Sequence, residues 1–67
     1  MTMIVNGKRI DLPETVQTVR GLLAHYNLEN RIVIVEINQE IITKEYYEST
    51  SLSHGDVVEI VHFVGGG

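Results

Sequence analysis

The last twelve residues constrain the fold more than any other part of this sequence. Asp56 to Val64 contains six apolar residues in nine, mostly valine and isoleucine, which predicts a buried β-strand in the middle of a sheet. Gly65, Gly66 and Gly67 follow directly and have no side chain to pack. We therefore expect a folded domain over residues 1–64 and a flexible glycine tail over residues 65–67.

The glycine tail has two interpretations. Glycines at a chain end can reflect ordinary fraying or an expression scar. Alternatively, a thread without side chains can enter a narrow slot and present the terminal carboxylate of Gly67 as the functional group. The placement favours the second interpretation, because half of the six glycines are the last three residues and they join the most hydrophobic strand without a linker.

Length and composition exclude several classes of protein. A chain of 67 residues forms one domain with little volume for an enclosed substrate pocket, which argues against a self-contained enzyme. Cysteine is absent, so disulfides, thiol nucleophiles and thiolate metal sites are excluded. We find neither a signal peptide nor an apolar run of membrane-spanning length. We therefore expect a cytoplasmic protein with no membrane partner.

The charge balance bears on partners. Nine acidic residues against five basic ones give a net charge of −4, which argues against binding a nucleic-acid backbone. A mildly negative charge either keeps a small protein in solution or steers it toward a basic protein surface.

Asn6-Gly7, between two short apolar runs, is the preferred two-residue β-hairpin turn. With this turn, Val5 faces Lys8, Met3 faces Ile10 and Met1 faces Leu12 on one side of the hairpin, while Ile4 faces Arg9 and Thr2 faces Asp11 on the other. Five of the six positions on the first side are apolar, so the hydrophobic pattern supports this register.

A single amphipathic helix is predicted next, following Pro13 and the lead-in Glu14–Gln17. Thr15 or Thr18 can cap its start, Asn27 can adopt the left-handed conformation at its end, and Leu28 can fold back. Gly21 is expected to allow close approach to the sheet. The apolar stripe that should cover one sheet face consists of Val16, Val19, Leu22, Leu23 and Tyr26.

The remaining segments predict further strands. Arg31–Ile37 contains a continuous β-branched run, typical of a strand buried on both faces, and Asn38-Gln39 offers a turn into a short edge strand at Glu40–Ile42. Residues 43–53 predict a loop with one helical turn, anchored by Tyr46, Tyr47 and Leu52. The helix between the first and last strands makes these two strands parallel neighbours at the sheet centre. The predicted class is α+β, with a mixed sheet of four to five strands packed on one main helix.

Four segments in this order resemble the β-grasp sulfur carrier proteins, most closely the thiamine-pathway (ThiS) family, and the resemblance covers essentially the whole chain. The segments are Val5–Lys8, Thr18–Leu23, Ile32–Asn38 and Gly55–Gly67. The resemblance implies a ubiquitin-like β-grasp fold and a protein co-substrate that is not itself an enzyme.

The resemblance also implies the chemistry of the tail. An E1-like adenylyltransferase (ThiF-like) uses ATP to convert the Gly67 carboxylate into an acyl-adenylate, and a sulfur donor then displaces AMP to leave a thiocarboxylate. A thiazole synthase (ThiG-like) receives the sulfur during thiamine biosynthesis. In this scheme the carrier binds no cofactor, has no catalytic residue, and threads Gly65 and Gly66 into the partner enzyme.

Several other residues have competing interpretations. Phe63 and Val64 either contact a partner at the mouth of its channel or complete the core. His62 lies near the tail, but no second catalytic group accompanies it, so a surface or core-edge position is favoured. Asp56 and Glu59 can pair with basic partner residues, although Asp56 is better explained as a turn residue. His25 and His54 do not show metal-ligand spacing, and no metal site is predicted.

Three other functions remain open from the residues alone. The small subunit of molybdopterin synthase carries the same tail on the same fold. A ubiquitin-like modifier would join Gly67 to lysines of other proteins. A passive binding module would have a tail of no importance.

Overall fold

The computed structural model describes residues 1–63, and Val64 together with the predicted glycine tail lies outside the described residues. Over residues 1–63 the chain forms five strands and one α-helix. The elements are β1 (Thr2–Val5), β2 (Lys8–Asp11), α1 (Val19–His25), β3 (Val33–Ile37), β4 (Glu40–Ile42) and β5 (Val57–His62). A short 3₁₀ turn at Lys44–Tyr46 lies between β4 and β5, as predicted for this loop.

The five strands form one mixed sheet in the order β2-β1-β5-β3-β4. β5 is central, parallel to β1 on one side and antiparallel to β3 on the other. The predicted parallel pairing of the first and last strands is therefore confirmed, and β4 lies at an edge as expected.

The first hairpin has the predicted register. Val5 pairs with Lys8, and the pairing continues along both strands to Thr2 and Asp11. Asn6 and Gly7 have φ values of 50° and 81°, the left-handed conformation that a type I′ turn requires and that asparagine and glycine adopt most readily.

Helix α1 is shorter than the apolar stripe suggested. Thr18 caps it by accepting a hydrogen bond from the backbone N–H of Gly21 at 3.1 Å, so Val16 is buried but precedes the helix. Asn27 has a φ of 60°, and the N–H of Leu28 donates to the carbonyl of Leu23 at 2.8 Å. The predicted helix end is therefore confirmed.

Gly21 is not required for close approach to the sheet. A methyl group at this position would meet the Thr18 side chain at 3.5 Å and Val16 at 3.8 Å, which are ordinary contact distances. The expectation of helix–sheet contact at Gly21 is wrong, since these neighbours belong to the segment that enters the helix.

The core lies between the helix and one face of the sheet. Val19, Leu22 and Leu23 of the helix are buried there. The strand residues that face them are Met3, Val5, Val35, Ile37, Val58 and Ile60. Burial alternates along β3 and β5, so the prediction that the Arg31–Ile37 strand is buried on both faces is wrong, whereas the predicted central position of the last strand is confirmed. The single helix covers one face, and within residues 1–63 no second layer covers the other.

The loop before β5 is held against the start of the helix. Val19 and Arg20 donate backbone hydrogen bonds to the carbonyls of Thr50 and Tyr47, at 3.1 and 2.9 Å. Leu52 is buried and Tyr47 packs partly against the core. Tyr46 is 57% exposed, so its predicted role as a loop anchor is wrong. No helix in residues 1–63 has the length and apolar character needed to cross a membrane.

Candidate functional site: the outer sheet face and the end of β5

The uncovered face of the sheet is rich in large apolar side chains. We call this surface the outer face and define it by Ile4 of β1, Ile34 of β3, Ile41 of β4, and Val57 and Val61 of β5. Their side chains are 39% to 63% exposed. Exposed apolar side chains clustered on one face make that face a candidate site of protein contact.

The end of β5 extends this apolar surface toward the tail. Phe63 is 60% exposed, and Ile32 on the neighbouring segment is 77% exposed. The backbone N–H of Phe63 donates to the Ile32 carbonyl at 3.4 Å, which keeps the two segments adjacent. Phe63 therefore does not complete the core, and its exposure favours the partner-contact interpretation. Val64, the other predicted contact residue, lies outside the described residues.

Asn6 anchors β5 from the β1 side. Its side-chain Oδ1 accepts a hydrogen bond from the Ile60 N–H at 2.7 Å, and its Nδ2 donates to the Ile60 carbonyl at 3.1 Å. The side-chain amide thus continues the pairing of β1 with β5 beyond the point where the β1 backbone turns away. The sequence signal for this residue was a turn, and it gave no indication of the contact with β5.

Asn38 plays the corresponding role on the β3 side. Its Oδ1 accepts from the Val57 N–H at 3.0 Å, and its Nδ2 donates to Asp56 Oδ1 at 3.1 Å. The other carboxylate oxygen of Asp56 accepts from the Ser53 N–H at 2.8 Å. Asp56 is therefore a turn residue, as the sequence favoured. Two turn asparagines on opposite sides hold the strand that precedes the tail.

The histidines occupy surface and edge positions. His62 lines a groove of about 560 Å³ on the helix side of the sheet, beside Tyr26 and Lys8, and no described side chain hydrogen-bonds to it. His54 accepts a hydrogen bond from the Thr2 N–H at 3.1 Å through Nδ1. The His25 ring contacts the Tyr26 ring edge-on, with centroids 5.3 Å apart.

Residues 1–63 contain no group of three or more histidine, aspartate or glutamate side chains placed to hold a metal ion. The predicted reacting group, the carboxylate of Gly67, and the two glycines expected to thread into a partner lie outside the described residues. The described part of the candidate site is therefore the exposed apolar surface that includes Phe63 at the end of β5.

A five-stranded mixed sheet around one helix, with the last strand central and leading to the C-terminus, defines the ubiquitin-like β-grasp class. The solved crystal structure of the thiamine biosynthesis protein ThiS from Geobacter metallireducens matches with a TM-score of 0.82 and 33% identity, over the whole of both chains. The ThiS family model matches residues 3–67. The chain belongs to the ThiS family, as the sequence motifs predicted.

Two relatives refine this assignment. The sulfur carrier protein ThiS of Bacillus subtilis is 56% identical over 63 residues, which cover 94% of this chain and 96% of the relative. A thiazole synthase of Paramagnetospirillum magneticum is 37% identical over the whole of this chain, which corresponds to 20% of that protein's length. A domain similar to this chain is therefore part of a longer protein named as a thiazole synthase.

Proposed function

We propose that this chain is a sulfur carrier in thiamine biosynthesis, and that the carboxylate of Gly67 is converted to a thiocarboxylate. The observation that carries this proposal is the 56% identity to a sulfur carrier protein over nearly the full length of both chains. Family membership supports the predicted role of a carrier that is not itself an enzyme. The pathway follows from the relatives named for thiazole synthesis and thiamine biosynthesis.

The proposed chemistry begins with activation of an unreactive group. A carboxylate resists nucleophilic attack because it is anionic and resonance-stabilised. Attack of the Gly67 carboxylate on the α-phosphorus of ATP releases pyrophosphate and forms an acyl-adenylate. A sulfur nucleophile then attacks the carbonyl carbon and expels AMP. ATP and the sulfur donor are bound by the partner enzyme, so the carrier contributes an accessible carbonyl carbon and no cofactor.

The glycine tail suits this role on steric grounds. Fully extended, three glycines span roughly 10 Å at about 3.3–3.6 Å per residue, which takes Gly67 into a buried site while the folded body stays outside. Ordering the tail costs conformational entropy, and contacts between the partner and the outer face offset this cost. Phe63 and Val64 immediately precede the glycine tail in the sequence and are proposed to contact the partner there.

Two partners are proposed. The first is an E1-like adenylyltransferase, which follows from the need to activate the carboxylate. The second is a thiazole synthase, and the presence of a similar domain within a longer thiazole synthase chain supports this partnership. Both partners would act in the cytoplasm, where we place the carrier.

The alternatives from the sequence are less well supported. The relatives described above are named for thiamine biosynthesis or thiazole synthesis, which disfavours the molybdopterin synthase subunit and the ubiquitin-like modifier. The exposed outer face would serve a passive binding module equally well, so the decisive experiment must examine the tail.

The test is conversion of Gly67 itself. We expect incubation with the cognate adenylyltransferase, ATP and a sulfur donor to raise the intact mass by the difference between one sulfur and one oxygen atom. A chain lacking Gly67 should show no such change while its circular dichroism spectrum stays the same, because β5 ends at His62. Normal thiolation of the shortened chain would refute the proposal.

A further inference from the structure

Two glutamates lie directly opposite each other in the middle of the outer face. Glu36 of β3 pairs with Glu59 of β5 in the antiparallel register. Within residues 1–63 neither carboxylate forms an ion pair, since the charged pairs found there are Met1 with Asp11 and Arg20 with Glu48. Like charges opposite each other destabilise a sheet. The folded domain therefore gains no stability from this arrangement.

Apolar side chains surround the glutamate pair on the same face. Ile34 and Val61 form the next outward-facing pair along β3 and β5, and Ile41 of β4 is directly opposite Glu36. Val57 lies two residues before Glu59 on the same strand. A partner that covers these residues must also remove the two carboxylates from water, which is unfavourable unless each carboxylate gains an opposite charge or hydrogen-bond donors.

This requirement identifies the chemistry of the covering surface. A second copy of this chain would bring two further carboxylates to the same place, whereas Arg9, which is opposite Ile4 on this face, lies on the edge strand β2, two strands away from Glu59. A partner surface that is apolar except for one cationic side chain would pack against the exposed apolar residues and also neutralise the two carboxylates. Arginine fits best, because its planar guanidinium presents five N–H donors, enough for two carboxylates, and is less strongly hydrated than the lysine ammonium.

We propose that the outer face binds an arginine of the adenylyltransferase that activates the tail, with Glu36 and Glu59 as paired acceptors and the surrounding apolar residues packing around the guanidinium. This inference rests on the proposed function and specifies the partner surface that it requires. The enzyme must hold the body while Gly67 reacts, and β5 connects the glutamate pair directly to the tail. In this proposal the outer face binds the partner, and the reaction takes place at Gly67.

The test compares two double variants of equal net charge. Glu36→Gln/Glu59→Gln removes the charges of the outer face, whereas Glu14→Gln/Glu29→Gln removes two exposed charges that lie outside the strands. We expect the first variant to bind the cognate adenylyltransferase about tenfold or more weakly, with a smaller dependence of affinity on salt. The second should bind within about twofold of wild type, which controls for long-range attraction.

Thermal unfolding shows whether weaker binding of the glutamate variant comes from a lost contact or from a destabilised fold. Removing the like-charge pair should leave the thermal midpoint unchanged or raise it by about 1–5 °C, so weaker binding cannot be attributed to unfolding. Equal binding of Glu36→Gln/Glu59→Gln and wild type would overturn the inference. Dimerisation of the free carrier that strengthens in this variant would also overturn it, in favour of a second copy as the occupant.

Thiocarboxylate formation distinguishes failure of this inference from failure of the proposed function. If wild type is thiolated and the glutamate variant binds the adenylyltransferase as tightly as wild type, the proposed function is supported and the proposed arginine contact is refuted. If wild type binds the adenylyltransferase but is never thiolated, the proposed function is refuted. We expect the glutamate variant to show a raised KM for the carrier with little change in kcat, because in this proposal the glutamates bind the partner and take no part in the reaction at the Gly67 carboxylate.

Discussion

The side chain of Asn6 pairs with both backbone groups of Ile60, accepting from its N–H at 2.7 Å and donating to its carbonyl at 3.1 Å. Asn6 is also in the left-handed conformation, with a φ of 50°. The same residue therefore turns the first hairpin and fastens the central strand. These two roles can be separated by substitution.

We expect Asn6→Gly to lower the free energy of unfolding by about 1–3 kcal/mol, because glycine keeps the turn but loses two partly buried hydrogen bonds. Asn6→Ala should lower it by about a further 1–2 kcal/mol, since alanine is strained in the left-handed conformation. Urea unfolding of the two variants measures both effects. An Asn6→Gly variant as stable as wild type would show that the contact with Ile60 contributes nothing.

Gly21 and Gly55 make a matched pair of glycine substitutions. A methyl group at Gly21 meets ordinary contact distances within a helix, so Gly21→Ala should stabilise the protein by about 0.4–1 kcal/mol. Gly55 has a φ of 89°, and Gly55→Ala should destabilise it by about 1 kcal/mol or more. Thermal or urea unfolding should give a higher free energy of unfolding than wild type for Gly21→Ala and a lower one for Gly55→Ala. A shift in the same direction for both would contradict this account of the helix and the turn.

Burial raises the pKa of the Tyr47 phenol above its usual value of 10.0, because desolvation disfavours the phenolate. The unfolded chain loses this proton near pH 10, whereas the folded chain retains it to higher pH. The folded state then binds more protons, so the free energy of unfolding falls as the pH rises above about 10. This contribution is fully present below that pH.

The measurement is urea unfolding at about pH 9 and about pH 11. We expect Tyr47→Phe to lose less stability than wild type between these two values, because phenylalanine does not titrate. Tyr46→Phe, at an exposed position, is the control and should behave as wild type does. The prediction fails if all three proteins lose the same amount.

A bulky residue in the tail should block activation without affecting the fold. We expect Gly66→Trp to reduce thiocarboxylate formation by about a hundredfold or more, since misplacing a reacting group by a short distance has effects of this size. The midpoint of thermal unfolding should change little. Glu14→Trp, at an exposed loop position, places the same side chain elsewhere and should leave activation intact. Equal activation of both variants would contradict the narrow-slot hypothesis.

The local signals in the sequence predicted most of the fold. Asn6-Gly7 set the register of the first hairpin, and Asn27 located the helix end, because these positions need a left-handed backbone conformation that few residues adopt. The helix start was less clear, since Val16 continues the apolar spacing although it lies before the Thr18 cap. Apolar periodicity reports burial, and residues outside a helix can be buried at helical spacing.

The prediction that the Arg31–Ile37 strand is buried on both faces was wrong for a physical reason. The continuous β-branched run of residues 32–35 is typical of a strand buried on both faces, yet within residues 1–63 only one face of the sheet is covered and Ile34 is exposed on the other. An apolar composition predicts that a strand face is buried, but it does not show whether the same molecule or a partner covers that face. The contact of Asn6 with Ile60 was missed because it joins residues 54 positions apart, and the sequence gives no local signal for it.

The central position of β5 also has a mechanical consequence. A partner that grips the tail and draws it inward pulls along the axis of β5, which is bonded to β1 on one side and β3 on the other. This force is shared by the hydrogen bonds on both sides of β5, whereas an edge strand would have hydrogen bonds on one side only. The fold can therefore resist a pulling force that a partner applies at its C-terminus.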